Sequence, residues 1–397
     1  MQISPETLRF IEDNSRADVR SLALQAKKYP QVDMAMAVVQ IAGRQIAEAK
    51  VPSWHRFDGL LYPKHLSMEQ CSSEVTALYK ASLVEGRTFA DLTGGFGIDC
   101  SFLSRKFKKA DYVERQAELC ELASHNFPLL GLDIDVHNED GVAYLKRMQP
   151  VDCLFLDPAR RDGHGGKTVA ISDCEPDVSA LEELLVEKAE VVMVKLSPML
   201  DLSLALKTLK YVREAHIVSV NNECKELLLI LQKNSVSSEV VIHCEHIVNS
   251  IEHQHFVFIQ EQERTSDCPL TSQVGTYLYE PNASILKAGA YRSLTQDYPV
   301  KKLHPSSHLY TSSQLIDDFP GRRFWVEAIG GFGKKELKSF LLGIEKANLT
   351  IRNFPSSVAE LRKRLKLKEG GEDYIFATTL ADESKVLIRC KKAISVL

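Results

Sequence analysis

The chain has 397 residues, 44% of them apolar and 26% charged, with a formal net charge of -4. That length predicts two or three domains with ordinary hydrophobic cores, and the composition excludes a disordered or fibrous chain. No window holds the roughly 18 to 20 consecutive apolar residues of a membrane span, "MQISPETLRF" has no basic region followed by an apolar stretch, and the nine cysteines are never spaced Cys-x-x-Cys; an unexported protein of a reducing cytoplasm is expected, without disulfide framework or zinc knuckle.

In chain order, residues 4 to about 50 read as helical. Ser4 caps a helix with Pro5 at its first position, and Met34, Ala37, Val38, Ile41 and Ile46 fall near one face of a second. Residues 1–70 are therefore expected to form a helical N-terminal domain. A further helix over 72–86 would start at Ser72 or Ser73 and stop at Gly86. From residue 87 strands alternate with helices: "RTFADL", "ADYVE", "DIDVHN", "VDCLFLD", "EVVMVKL", "AHIVSV" and "ELLLILQ". Such alternation demands a mainly parallel, Rossmann-like sheet covered by helices. The link "NNECK" is short enough for a hairpin, so the seventh strand is expected antiparallel. This α/β domain spans 71–265. Residues 271–397 read as an α+β unit with helices at 334–347 and 357–367. That unit carries 20 Lys plus Arg against 13 Asp plus Glu, about +7, and leaves about -11 for residues 1–270. Its run "LRKRLKLKEGG" is either a polyanion-binding surface or a solvated helix face.

The stretch "FADLTGGFGIDC" (89–100) places three glycines between a strand and a helix. Bare backbone there admits a close ligand, and the helix start offers free N–H groups, so a nucleotide-like cofactor is expected. Gly95-x-Gly97-x-x-Cys100 nearly matches a dinucleotide fingerprint, with Cys100 in the third glycine position. Asp91, four residues before Gly95, favours another ligand, because Asp-x-x-x-Gly-x-Gly is a pattern by which S-adenosylmethionine enzymes resemble one another. A carboxylate repels phosphate and attracts an ammonium. Glu114, ending the second strand, suits ribose hydroxyls, and Asp140, after the third, suits the adenine amine. The expected cofactor residues are Asp91, Thr93, Gly94, Gly95, Phe96, Gly97, Glu114 and Asp140.

The fourth strand ends in "FLDPARRDGHGG". Asp157-Pro158 stands where amino-methylating enzymes carry Asp/Asn-Pro-Pro-aromatic, but Ala159 and Arg160 replace the last two positions. Asp157 is expected to orient the acceptor. Pro158, Arg160 and Arg161 are expected to contact substrate, with Gly163, Gly165 and Gly166 letting the loop close. Lys195 and Glu226 could face Asp157 across the sheet edge, as in the Lys-Asp-Lys-Glu set of ribose 2′-hydroxyl methyltransferases, with Lys64 as the first lysine. His243, Cys244, His246, His253 and His255 fit no familiar ligand spacing, so no metal is expected. Cys153 and Cys224 read as apolar filler.

Taken together, "DLTGGFGID", "FLDPAR", "VKLSP", "ECKELLL", "YLYEPNASILKAGAY" and "NFPSSVAELRKRLKL" resemble a bacterial family of class I S-adenosylmethionine-dependent methyltransferases with a C-terminal THUMP-like domain. The resemblance covers nearly the whole chain. It implies a seven-stranded methyltransferase sheet and an RNA substrate, transfer RNA or ribosomal RNA, methylated at a base nitrogen after delivery by the basic tail. Ribose 2′-O-methylation, a non-catalytic RNA-binding protein on this scaffold, and an NAD-dependent oxidoreductase are the alternatives.

Overall fold

The computed structural model describes residues 3–160, 170–233, 239–249 and 252–393. The chain forms two compact units, Met1–Glu214 with Glu226–Ser237, and Ala215–Lys225 with Ser238–Leu397.

The first unit opens with α1 (Pro5–Asp13), α2 (Val19–Ala23), α3 (Met34–Lys50), α4 (Pro52–His55), α5 (His65–Gln70) and α6 (Glu74–Ser82). Ser4 accepts from the Thr7 N–H and Asp33 from the Met36 N–H, so both long helices begin on side-chain caps. Phe10, Leu22, Met34, Ala37 and Ile41 form a small core of their own. Ala47, Trp54, Met68, Ala77 and Ala81 instead join the core beneath the sheet with Phe89 and Cys153. Ser73 is the N-cap residue of α6, but the helix ends at Ser82, before Gly86. Gly86 serves close packing: a Cβ there would meet Asp152 Cβ at 2.9 Å.

Apart from a two-residue pair, Ala159–Arg160 with Cys174–Glu175, seven strands follow: β1 (Thr88–Asp91), β2 (Lys109–Glu114), β3 (Asp135–Asn138), β4 (Val151–Leu156), β5 (Ala189–Leu196), β6 (Val212–Val220) and β7 (Glu223–Leu231). The first unit orders its strands β3-β2-β1-β4-β5-β7. The first five pair in parallel and β7 runs antiparallel to β5. Helices α7 (Ile98–Leu103), α8 (Ala117–Leu129), α9 (Gly141–Arg147), α10 (Val178–Lys188) and α11 (Leu202–Thr208) fill the connections up to β6. Asn221 and Asn222 both take positive φ, as a two-residue hairpin between β6 and β7 requires. Two strands more than the expected seven follow, β8 (Val241–Ile247) and β9 (His253–Ile259), whose complementary alternation pairs them antiparallel along their full length.

The second unit holds α12 (Gln260–Thr265), α13 (Ala283–Ala288) and α14 (Leu294–Asp297), with strands β10 (Tyr277–Pro281), β11 (Lys301–Lys302), β12 (Tyr310–Ser312), β13 (Gly321–Gly330), β14 (Asn348–Arg352), β15 (Tyr374–Thr379) and β16 (Lys385–Lys392). These seven strands form a mixed sheet in the order β11-β12-β10-β13-β16-β15-β14. Strand alternation gives the sheet two buried faces: Phe376 and Ile388 enter one core, while their neighbours Ile375 and Leu387 enter another beneath α15 (Lys334–Phe340) and α16 (Val358–Leu365). The helix expected over 334–347 stops at Phe340, short of Gly343 at φ +80°. Ser357 and Glu360 close a capping box on α16. Among the described residues no helix is long and apolar enough to cross a membrane.

Candidate active site

The glycine turn joins β1 to α7, and its glycines serve different ends. A Cβ on Gly94 would lie 2.2 Å from the Tyr112 ring, and one on Gly97 2.8 Å from Phe127. At these two the sheet's own aromatics fill the space a side chain would take, and Gly97 also sits at φ +87°. Gly95, at φ +56°, differs in its surroundings: the nearest atom to a Cβ is Thr93 O at 3.7 Å. That is the open side of the turn. Phe96 packs edge-on against Trp54 at 5.2 Å, so its side chain belongs to the core and only its backbone lines the turn.

The three expected acids surround this backbone. Asp91, 1% exposed, accepts the Thr93 N–H at 2.9 Å. Glu114 accepts the Gly95 N–H through one oxygen and the Gln116 N–H through the other, each at 2.9 Å, which ties the second strand to the turn. Carboxylate oxygens carry more than one lone pair, so Glu114 retains capacity for hydroxyl donors. Asp140 caps α9 through the Ala143 N–H and is exposed. Gly141 beside it lets α9 begin against the turn, since a Cβ there would overlap Leu92 O at 2.1 Å. Thr93 also fixes the fourth strand end, its hydroxyl accepting the Asp157 N–H at 2.6 Å.

Behind the turn lies a buried charge network. Lys195 Nζ donates to Asp157 Oδ2 at 2.5 Å and lies 3.3 Å from Asp99 Oδ2. Lys80, on the inner face of α6 and 0% exposed, reaches both oxygens of Glu226 at 2.7 Å. It also approaches Asp99 Oδ1 at 3.2 Å, close enough for ion pairing but off a hydrogen-bond direction. Ser72 donates to Asp99 Oδ2 at 2.7 Å. Of the residues expected at the sheet edge, Asp157 and Lys195 touch directly, and Glu226 is linked to them through Lys80 and Asp99. The first lysine is a correction: Lys64 pairs with Glu118 on the surface, the lysine mostly and the glutamate half solvated, and Lys80 takes the inner position.

The members respond differently to burial. Burial works against charge on Lys195, but Asp157, Asp99 and Glu226 outweigh it and hold the ammonium well above its ordinary value. Burial likewise opposes charge on Asp99, yet Lys80 and Lys195 draw it down to about 2. Among the described residues no cation plays that part for Asp91. Burial pushes it well up, with the Thr93 N–H opposing and Asp99, Asp157 and Glu114 reinforcing. The described residues thus leave this buried acid unneutralised, beside open backbone, which suits a ligand that brings positive charge. The sulfonium and ammonium of S-adenosylmethionine meet that condition, whereas the pyrophosphate of NAD opposes it.

Sequence reasoning missed the part played by Lys80 on α6, Asp99 on α7 and Ser72 in the link before α6, none of them at a strand end. One signal was present: Lys80 lies between Ala77 and Ala81 on the stripe of α6 that faces the core. Arg161, Gly163, Gly165, Gly166 and the Arg160 side chain lie outside the described residues. Pro158 is buried directly after Asp157.

The chain is similar to known proteins across its whole length. Residues 277–320 match a ferredoxin-like domain family and residues 321–392 a THUMP domain-like family. A Porphyromonas gingivalis W83 chain, solved by crystallography as a candidate methyltransferase, is 36% identical with a TM-score of 0.89, over 99% of this chain and 100% of that one. Uncharacterised S-adenosylmethionine-dependent methyltransferases from two Mycobacterium tuberculosis strains are 22% identical over 304 residues, 76% of this chain and 80% of theirs. The fold, the unneutralised acid at the glycine turn and these relationships lead to one conclusion: the chain belongs to the class I S-adenosylmethionine-dependent methyltransferases that carry a C-terminal THUMP-like domain.

Proposed function

We propose that the protein methylates RNA at a base nitrogen, with Asp157 orienting the acceptor amine. The observation that carries this reading is the state of Asp157. Its Oδ2 is held by a lysine that stays cationic, while the carboxylate as a whole remains 37% exposed at the sheet edge beside the glycine turn. A carboxylate fixed on one side and open on the other accepts hydrogen bonds from an exocyclic N–H. Oδ1 is then the atom that aligns the nitrogen and takes its proton onward to solvent.

The bound cofactor supplies an electrophilic methyl on sulfonium; the chain's part is mostly positioning. Asp91 and the backbone of Thr93 to Gly97 hold the methionine end, and Glu114 and Asp140 the nucleoside. The Lys80–Glu226 pair keeps Lys195 and Asp157 in register and touches no substrate. RNA is proposed as the acceptor's source because the tail concentrates exposed cations on α15 and α16, among them Lys334, Lys335, Lys338, Lys363 and Arg364.

A second reading has its own support. Lys80, Asp157, Lys195 and Glu226 supply the residue types of the ribose 2′-hydroxyl set, in a contiguous network. It ranks second because a hydroxyl must lose its proton to a base, and a lysine held well above its ordinary range is a poor one. Mass spectrometry of nucleosides from cells with and without the protein separates the two. Loss of one base-methylated nucleoside, restored by labelled methyl transfer in vitro, supports the first reading; loss of a 2′-O-methylated nucleoside selects the second. An unchanged RNA profile overturns both and moves the acceptor to protein or small molecules.

A further inference from the structure

We propose that a histidine-rich face of the second unit binds a divalent transition-metal ion, with His216, His243 and His255 as ligands and Glu245 orienting one of them. Linear spacing hides this arrangement because the three rings come from three strands. His243 and Glu245 alternate on β8 and therefore share a face, and His255 on β9 stands directly opposite Glu245. His216 lies on β6, the neighbour of β8. The His216 and His243 rings stack with centroids 4.4 Å apart, their ligating nitrogens within 4.8 Å, and the His255 ring follows at 5.7 Å from His243.

Glu245 gives the row its chemical direction. It is buried, and its carboxylate takes His255 Nδ1 at 2.9 Å through one oxygen and His253 Nδ1 at 2.7 Å through the other. A carboxylate on Nδ1 fixes the tautomer and leaves Nε2 as the electron-pair donor, the arrangement that supports metal-bound histidine. Nitrogens at about 2.1 Å from a tetrahedral zinc lie about 3.4 Å apart, so closure requires the two stacked rings to tilt together and the His255 ring to swing inward. His255 can swing, because half of its side chain is in solvent. Imidazole donors without thiolate suit Zn²⁺, Cu²⁺ or Ni²⁺ rather than Ca²⁺ or Mg²⁺.

The test uses the full chain without an affinity tag, titrated with Zn²⁺ against a chromophoric chelator and with Co²⁺ as an optical probe. One equivalent should bind, and Co²⁺ should develop visible bands of a low-coordinate nitrogen site. His243→Gln and the half-exposed His255→Gln should each weaken binding, and Glu245→Gln should cost about 10–100-fold as loss of an orienting partner does. A surface control, His65→Gln, should bind as wild type. The proposal is overturned if no saturable single equivalent binds, or if folded His255→Gln and His243→Gln, judged by their melting curves, retain wild-type affinity. The outcome is independent of which acceptor is methylated.

Discussion

Two buried carboxylates, Glu280 in the tail and Asp99 in the methyltransferase unit, meet two cations apiece and yet serve different purposes. In the tail, Glu280 is 1% exposed and takes the guanidinium of Arg322 on one oxygen and that of Arg352 on the other. Those arginines are 37% and 35% exposed, so the charge drains to the surface and the acid is satisfied. In the methyltransferase unit, Lys80 and Lys195 are shared among Glu226, Asp99 and Asp157, and Asp91 is left over. Burial of charge alone does not mark a site. An imbalance that the chain keeps at its own cost does.

The sharpest way to break this comparison is to remove one member from each network. Lys80→Met leaves Glu226 and Asp99 buried without their nearest cation and should cost about 3–5 kcal/mol, as unpairing a buried ion does. Glu280→Gln leaves two arginines that can turn to water, so solvent screening should hold its cost to about 1–2 kcal/mol. Urea denaturation of both variants measures the difference. Equal costs would mean that the two networks are the same kind of structural clamp.

Asp91→Asn tests the leftover charge. Because the folded-state carboxyl lies above its unfolded value, wild-type stability should fall as pH rises from about 4 towards the raised folded value. The opposite holds for Asp99, whose contribution is complete above about 4 and lost as pH drops through about 2. Asn at position 91 should flatten the first slope and leave the second. It should also weaken S-adenosylmethionine binding about 10–100-fold, the worth of a charged hydrogen bond. Wild-type binding below the raised value should release a proton, visible as a calorimetric enthalpy that depends on buffer ionisation, and the variant should show none. Wild-type affinity in Asp91→Asn would sink the assignment of the turn.

These sites differ in how far the sequence announced them. Strand ends are legible because apolar runs stop abruptly: Asp91, Glu114, Asp157 and Lys195 each close such a run, and the parallel order carries those ends to one edge. Lys80 and Asp99 were not legible in the same way. They sit inside helices, where a charge in an apolar stretch reads as solvated, and only packing of α6 and α7 turns them inward. The glycines were legible as a turn, but Gly94 and Gly97 answer to Tyr112 and Phe127, distant residues that local pattern does not pair with them. The histidine face was hidden for the same reason.

The smallest effect is expected at Lys64, and it discriminates between the two lysines. Position in the chain makes Lys64 a candidate first member of a Lys-Asp-Lys-Glu set, but its ammonium pairs with Glu118, the lysine mostly and the glutamate half solvated. Such pairs contribute no more than about 1 kcal/mol and are weakened by salt. Lys64→Ala should therefore leave cofactor affinity, methyl transfer and the pH slopes assigned to Asp91 and Asp99 at wild-type values, with at most a slight change in urea midpoint that vanishes at high ionic strength. A specific loss of methyl transfer in Lys64→Ala, with cofactor affinity intact, would place that lysine against the acceptor and remove the catalytic rationale for the Lys80 network.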